Sequence, residues 1–161
     1  MVEPANRTVT VTTEIDAPPA AVYAIISDLP RMGEHSPENT GGRWLGGANG
    51  PAVGARFKGS NKKDFRRWST TVTVTDATDP RRFAFDVDFL GIPIAAWCYE
   101  ITDRPGGCTV SETYRDRRPA WMRLGSAPVM GVSDRAEHNT KGMEQTLASV
   151  KNAAESATAK T

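Results

Sequence analysis

The most regular hydrophobic pattern of the chain lies between Arg67 and Tyr114. Bulky and polar side chains alternate there in three successive runs, so that the large apolar side chains of each run share one face. A period of two over such runs predicts an antiparallel sheet with one dry face and one wet face. The apolar members are Trp68, Val72 and Val74, then Phe83, Phe85, Val87 and Phe89, then Trp97, Tyr99 and Ile101.

The N-terminal part predicts further strands and two short helices before this sheet. Alternating valines and threonines indicate a strand at Thr8–Ile15, and Asp16 followed by two prolines favours a helix at Ala20–Ser27 with Asp16 as its cap. A second short helix or turn follows, and then two strands and a polar turn lead into the aromatic sheet. These segments are Leu29–Glu38, Thr40–Leu45, Ala55–Ser60 and Asn61–Asp64.

Beyond Tyr114 the pattern becomes helical. Prolines and glycines predict an irregular connection first, and a helix then runs from its cap Asp134 to about Ala157. The apolar positions recur at alternating steps of four and three, which gives the helix one apolar stripe. The stripe comprises Ala136, Thr140, Met143, Leu147, Val150 and Ala154.

This order of elements predicts an α+β fold with a single domain over residues 1–161. The simplest assembly is a curved seven-stranded antiparallel sheet that wraps around the long C-terminal helix, with two short helices after the first strand. The two ends, about 1–6 and 156–161, are expected to fray. Strong curvature leaves space between sheet and helix, and that space is the expected ligand pocket.

Composition and charge narrow the function classes. Among the 161 residues 39% are hydrophobic and the net charge is +1. No apolar run approaches the roughly 18 residues of a membrane span, and the first residues lack a signal-peptide core. We therefore expect a soluble cytoplasmic protein with no stable membrane insertion. The basic clusters are expected to be solvated edges and not a nucleic-acid site, because the aromatic side chains are predicted to point inward. They comprise Lys62, Lys63, Arg66 and Arg67, and Arg115, Arg117, Arg118 and Arg123.

A hairpin turn at Arg104–Gly107 fixes the expected strand register near the two cysteines. Cys98 falls opposite Thr113 and about 17 Å along the strand from Cys108, whereas a disulfide needs Cα atoms within about 7 Å. Both cysteines should be free thiols. With two histidines and no close cysteine pair, the sequence predicts no metal site, and nothing in it predicts a cofactor.

The same register makes Glu112 the sharpest candidate for chemistry. It sets Tyr99 against Glu112 and Trp97 against Tyr114, all on the dry face. A desolvated carboxyl has a raised pKa and can act as an acid or base, or bind a ligand hydroxyl. The alternative is structural, namely that Glu112 pairs with an arginine such as Arg67 or turns outward at a bulge.

The histidines and the glycine-rich loop are weaker candidates. His138 falls roughly opposite the apolar stripe, so we expect it to be exposed and without a role. His35 lies in a segment broken by proline and glycine, where it is either an acid/base or rim residue, or a surface histidine. The segment Gly41–Gly54 lacks the Gly-Lys-Ser/Thr ending of a phosphate loop and is expected to be a flexible loop over the pocket mouth.

Five stretches resemble the START-like helix-grip superfamily, in particular its polyketide cyclase/dehydrase-type branch, which is widespread in actinobacteria. One stretch similar to the family corresponds to each region of the fold, from the first strand to the final helix. They are Ile15–Tyr23, Ser27–Glu38, Val53–Phe57, Gly106–Val110 and Asp134–Leu147. One position departs from the family, since His35 stands where relatives usually have an aromatic residue before Ser-Pro.

The resemblance implies a domain that binds a hydrophobic or amphipathic small molecule (polyketide-, lipid- or quinone-like), with homodimerisation left open. A second hypothesis is a cofactor-independent cyclase or dehydratase, with Glu112 as the acid/base and Tyr99 or Tyr114 as the donor to an enolate. A third is an interaction module whose cavity is filled by its own side chains. The catalytic candidates are Glu112, Tyr99, Tyr114 and His35. The expected ligand-binding residues are Trp44, Phe57, Trp68, Phe85, Trp97, Tyr99, Glu112, Tyr114, Asn139 and Met143.

Overall fold

A computed structural model describes residues 8–122 and 135–159 of the chain, and these form seven strands, two α-helices and one 3-10 helix. The strands are β1 (Thr8–Ile15), β2 (Asn39–Trp44), β3 (Arg56–Lys63), β4 (Arg66–Thr78), β5 (Arg82–Phe89), β6 (Ile92–Arg104) and β7 (Gly107–Asp116). The helices are α1 (Pro19–Ile26), the 3-10 helix (Leu29–Glu34) and α2 (Arg135–Ala159). The expected cap Asp134, the connection 123–134 and the N-terminal residues 1–7 lie outside the described residues.

All seven strands form one antiparallel sheet in the order β1-β7-β6-β5-β4-β3-β2. Strands β2 to β7 follow each other as a meander, and β1 lies beyond β7, so the first two strands of the chain form opposite edges. The segment with α1 and the 3-10 helix connects these edges, and both α1 and α2 pack on the sheet. The predicted helix-grip architecture is confirmed.

The strand register predicted around the last hairpin is confirmed. Across β6 and β7, Trp97 pairs with Tyr114, Tyr99 with Glu112, and Cys98 with Thr113. Both cysteines are free thiols. The alternation of buried and less buried residues along β7 shows that the same set of side chains faces the interior.

Two local predictions were wrong. Asp16 does not cap α1, whose N-cap is Pro18. Instead, the backbone N–H of Asp16 donates to Glu155, and the Asp16 carboxylate accepts from Arg104. The predicted turn Asn61–Asp64 is mostly strand, because β3 continues to Lys63 and a tight turn at Asp64 and Phe65 reverses the chain. Asp64 has a φ of 55°, which aspartate tolerates better than most residues. Helix α2 ends at Ala159, close to its predicted end at about Ala157.

Two hydrogen bonds fix the direction of α2 over the sheet. The Asp16 N–H donates to Glu155 (3.0 Å), and the Lys151 ammonium donates to the carbonyl of Glu14 (2.7 Å). From Glu155 back to Asn139 the helix rises about 24 Å, close to the length of roughly 26 Å from the end of β1 back to its start. The first turns of α2 therefore lie near the start of β1, beside the end of β7.

The interior is divided into two clusters of buried side chains. The larger one lies under α1 and the second half of α2 and is built from aliphatic and aromatic residues, among them Ile26, Phe83 and Leu147. The smaller one consists of Ala95, Tyr114 and Met143, with partly buried residues around it. The smaller cluster lies at the end of the molecule where α2 begins.

Candidate functional site

The Glu112 carboxyl is buried in the interior of the sheet, with 2% of the residue's surface exposed. The Tyr99 hydroxyl donates to its Oε1 at 2.8 Å. Its Oε2 has no hydrogen-bond partner among residues 8–122 and 135–159. The alternative pairing with Arg67 is wrong, since Arg67 lies at the start of β4 opposite Lys62, and no bulge interrupts the pairing of Glu112 with Tyr99.

Burial changes the protonation of this pair. Desolvation raises the pKa of Glu112 from 4.5 to about 8, against the lowering effect of the Tyr99 hydrogen bond. Burial, and then the neighbouring Glu112, raises the pKa of Tyr99 well above 10. At pH 7 the Glu112 carboxyl is therefore mostly neutral, and its proton can be donated from Oε2.

Aromatic residues form the sheet wall next to Glu112. The register places Phe85, Trp97 and Tyr114 side by side on β5, β6 and β7. The rings of Trp97 and Tyr114 are 5.0 Å apart between centroids, at an interplanar angle of 56°. This row lies one residue pair further toward the start of α2 than the Tyr99–Glu112 pair. The wall combines an apolar surface with two polar groups, Glu112 and the Tyr114 hydroxyl.

Helix α2 supplies the opposite wall. Met143 is buried against Tyr114, and Asn139, one turn earlier, is 9% exposed. The Nδ2 of Asn139 has no hydrogen-bond partner among the described residues. A buried polar atom without a partner costs about 1–3 kcal/mol, so such atoms are rare in folded proteins. Here two of them, Glu112 Oε2 and Asn139 Nδ2, belong to the same end of the interior.

Not all ten predicted ligand-binding residues come together. Trp97, Tyr114, Asn139 and Met143 lie at this end, and the Tyr99–Glu112 pair is the next pair inward along β6 and β7. Tyr99 and Phe85 pack in the larger cluster, although the register places them beside this end. Trp44 and Phe57 pack edge to face at 5.3 Å on β2 and β3, where Phe57 is ordinary core. Trp68 lies further out on the β3–β4 hairpin.

Side chains fill the space between sheet and helix around Met143, since Met143 and Tyr114 belong to one buried cluster to which Trp97 also contributes. Two open cavities lie elsewhere. One of about 500 Å³ is lined mainly by β3 and β4, including Asn61, Lys62 and Trp68. One of about 410 Å³ is lined by the 3-10 helix and the segment after it.

Both histidines contact other elements. His138 is half-buried and its Nε2 lies 2.6 Å from Oε1 of Glu38, so the prediction that this residue is exposed was wrong. His35 is also half-buried, and its Nδ1 lies 2.8 Å from Oγ of Ser149. Ser149 is about 15 Å along α2 from Asn139, so His35 does not belong to the Glu112 site.

The structure adds one buried ion pair that the sequence reasoning missed. Arg118 binds Asp116 through two hydrogen bonds, from Nε to Oδ1 at 2.9 Å and from Nη2 to Oδ2 at 2.7 Å. Asp116 faces the interior opposite Ala95, beside the aromatic wall. The alternation of β7 continues from Glu112 through Tyr114 to Asp116 and could have revealed it. Arg117 is also paired, with Asp86 at 2.9 Å, so these two arginines are not freely solvated.

Within residues 8–122 and 135–159 no group of three or more histidine, cysteine, aspartate or glutamate side chains could hold a metal ion. No helix in the same ranges has the length and hydrophobicity to cross a membrane.

The comparison with protein families now identifies the class. Residues 6–155 match the family described as "Polyketide cyclase / dehydrase and lipid transport", and the chain belongs to this family. The match spans nearly the whole sequence, in agreement with the fold and with the aromatic interior. No functionally curated protein is a significant match to the chain.

Solved structures with the same fold support this membership. The Polyketide_cyc-like protein Cgl2372 from Corynebacterium glutamicum is 29% identical, with a TM-score of 0.63 over 89% of this chain and 88% of that one. The di-domain ARO/CYC StfQ from the steffimycin biosynthetic pathway is 8% identical, with a TM-score of 0.71 over 96% of this chain and 53% of StfQ. Ara h 8.0201 is 14% identical, with a TM-score of 0.63 over 96% and 98% of the two chains. The last two similarities show the fold alone.

Proposed function

We propose that this protein is a soluble cytoplasmic domain that binds a hydrophobic or amphipathic small molecule, polyketide-, lipid- or quinone-like, between the sheet and α2. The observation that carries the proposal is the pair of buried polar atoms without partners, Glu112 Oε2 and Asn139 Nδ2, at the aromatic end of the interior. A ligand with a carbonyl or hydroxyl group would satisfy both. Membership of a family described by cyclase, dehydrase and lipid-transport activities supports the same class of ligand.

The closed packing of this end defines how a ligand enters. Met143 is the side chain that fills the space against Tyr114. Methionine is flexible and adaptable, so it can change rotamer and expose the aromatic wall at modest cost. Binding therefore requires Met143 to move, whereas the aliphatic cluster under the second half of α2 stays packed.

The neutral Glu112 carboxyl gives the binding a pH signature. A protonated Oε2 donates to a ligand oxygen, and ionisation near pH 8 removes that donor and places a charge in the site. Affinity for an uncharged ligand should therefore fall as the pH rises through about 8. Glu112→Gln keeps a donor that does not titrate, so its affinity should stay constant over the same range.

Binding is tested with three probes of different chemistry: oleate, decylubiquinone and emodin. Native mass spectrometry and fluorescence titration of the wild type should detect a one-to-one complex with at least one of them. For an uncharged probe, the wild type should lose affinity between about pH 6 and pH 9, and Glu112→Gln should not. Glu144→Gln, the same change at an exposed site on α2, is the matched control and should behave as the wild type.

The proposal would be contradicted if the wild type binds none of the three probes and protein purified under native conditions releases no hydrophobic molecule. It would favour the filled-cavity interaction module, which the packing of Met143 against Tyr114 already resembles.

A second candidate is a cyclase- or dehydratase-type enzyme, favoured by the position of a carboxyl with a pKa of about 8 next to a phenol. Glu112 would be the general acid or base. The Tyr99 hydroxyl donates a hydrogen bond to Glu112 and so positions that carboxyl. Because the Tyr99 hydroxyl is already engaged, Tyr114 would be the donor to the enolate. Glu112→Gln separates the two candidates, because a catalyst should lose turnover by about 10² or more while it retains binding.

A further inference from the structure

Three large apolar side chains are exposed at one end of the sheet. Phe65 is 87% exposed in the β3–β4 turn, Leu90 is 86% exposed in the β5–β6 turn, and Trp121 is 65% exposed shortly after β7. The segment after β7 remains at this end, because the Arg117 N–H donates to the carbonyl of Ile94 at 3.0 Å. Such side chains at protruding turns contribute little to the fold.

The backbone at Leu90 strengthens this point. Leu90 and Gly91 both have positive φ, 50° and 80°, between the paired residues Phe89 and Ile92. This is a two-residue hairpin of the type that strongly prefers Asn-Gly or Asp-Gly. Leucine is a poor residue there, and its exposed side chain gains no packing in return. The stability of the fold does not explain why a leucine occupies position 90. Residues that break a local rule in this way are expected at functional sites.

The neighbouring hairpin concentrates positive charge around Phe65. Lys62 pairs across the strands with Arg67, and Lys63 with Arg66. Like charges directly opposite each other destabilise a hairpin. The same hairpin carries only one acidic residue, Asp64, within 62–67. The prediction that aromatic rings in this region point inward fails at Phe65, with the guanidinium of Arg66 5.6 Å from its ring centroid. An anionic surface would relieve the repulsion among these cations.

We propose that this end of the molecule docks on an anionic lipid bilayer, with Phe65 and Leu90 inserted at the interface and the basic β3–β4 hairpin on the head groups. Apolar side chains among lysines and arginines are the recognition elements of interfacial binding. The two turns project to different heights, since the register places the β3–β4 turn roughly 13 Å further out along the strands.

A bilayer fits these features better than a macromolecule does. A deformable interface accepts isolated apolar side chains at different heights, whereas a protein partner would need a separate pocket for each. Single-stranded nucleic acid is bound by several stacked rings along a groove, whereas here Phe65 is exposed and Trp68, the next ring along the hairpin, is partly buried. Docking would also bring the aromatic end of the interior, with Tyr114 and Asn139, toward the lipid. The inference itself does not depend on the proposed ligand site.

The test is vesicle flotation of the full-length protein. Vesicles of phosphatidylcholine alone are compared with vesicles that contain about one third phosphatidylglycerol. The wild type should bind the anionic vesicles, and salt should weaken binding. Lys62→Gln with Lys63→Gln should lower partitioning about fivefold per charge removed. Phe65→Ser and Leu90→Asn should each lower it by at least about threefold.

Leu90→Asn separates docking from folding, because it should raise the melting temperature while it weakens vesicle binding. Two controls match the variants at the opposite end of the sheet. Val53→Ser removes an exposed apolar side chain, and Arg56→Gln with Lys58→Gln removes two charges from the same strand β3.

Any of three results would overturn the inference. One is the absence of binding to the anionic vesicles. Another is an equal loss of binding in the control variants. The third is that Phe65→Ser abolishes a dimer or an oligonucleotide complex while vesicle binding is unchanged.

Discussion

The two halves of α2 cover the same sheet but bury different chemistry. The second half, with Leu147, Val150 and Ala154, packs on aliphatic and aromatic side chains in the larger cluster. The first half, with Asn139 and Met143, faces Tyr114 and the aromatic wall beside Glu112. Both buried polar atoms without partners belong to this first half or to the wall opposite it.

The two parts of the interior differ in what their side chains contribute, namely stability under the second half of α2 and groups suited to recognition under the first half. A cluster of mainly aliphatic and aromatic side chains is stabilised by burial and dispersion and has no need of a further partner. A cluster with a neutral carboxyl and an unpaired amide is less stable than its apolar equivalent would be. A protein that retains such groups gains something else from them, and ligand binding at the first half of α2 is the gain proposed here.

The largest effect is expected from large-to-small substitutions in the two clusters. Leu147→Ala should lower the free energy of unfolding by about 2–5 kcal/mol through lost transfer energy and a cavity. Met143→Ala should cost less, because its partly buried neighbours Val9, Ile94 and Trp97 can relax into the gap. Urea unfolding of both variants measures the two losses. Met143→Ala should also change the affinity for a bound probe, whereas Leu147→Ala should not.

Equal large losses for the two variants, with unchanged probe binding, would mean that Met143 is ordinary core and that the comparison between the two halves fails.

The next effect concerns pH. Because the folded-state pKa of Glu112 is about 8 and its unfolded value is near 4.5, the folded protein holds the proton more strongly between these values. Stability should therefore fall as pH rises from about 4.5 to about 8, by about 1 kcal/mol per pH unit or less from this group. Glu112→Gln should remove this slope, and Glu144→Gln should retain it. Urea unfolding across this range measures the slope, and an unchanged slope in Glu112→Gln would mean that Glu112 is solvated in solution.

The sequence predicted the features of the two halves that depend on hydrophobic periodicity and on the register of one hairpin. Alternation of bulky and polar residues fixed the dry face, and the turn after Arg104 fixed the register that joins Tyr99 to Glu112. The apolar stripe likewise placed Met143 and Leu147 on the sheet. Each of these depends on short-range sequence spacing, which is why a single sequence was sufficient.

Contacts between distant segments were not predictable in the same way. The pairs His138–Glu38 and His35–Ser149 join residues far apart in the chain, and no local pattern marks either partner. The closed space next to Met143 depends on side-chain volumes and rotamers across two elements, which hydrophobic alternation does not encode. The exposed Phe65 was missed because β3 continues three residues beyond its predicted end at Ser60, which moves the turn to Asp64 and Phe65.

A smaller effect is expected at Asn139. Replacement by leucine removes a buried amide whose Nδ2 has no partner and keeps the number and branching of the side-chain heavy atoms, so Asn139→Leu should be neutral or stabilising by up to about 1 kcal/mol. Asn152→Leu, the same change on the exposed face of α2, is the control for helix propensity. Thermal unfolding compares the two, and affinity for a bound probe should fall only in Asn139→Leu. Marked destabilisation by Asn139→Leu alone would show that the amide makes hydrogen bonds in solution.

The smallest effect is expected when the contact between His138 and Glu38 is removed. This contact joins the first half of α2 to the segment before β2. His138 and Glu38 are partly exposed, so Glu38→Gln should lower global stability by only about 0.5 kcal/mol or less. Its effect on local opening should be more informative. Hydrogen exchange should become faster around Asn139 and Met143 and remain unchanged around Val150, because the second half of α2 is held by its own cluster. Glu34→Gln, which removes an exposed pair with Arg31, should leave exchange in α2 unaltered. A uniform increase along the whole helix would mean that the two halves open together, and a ligand could then not enter at the first half alone.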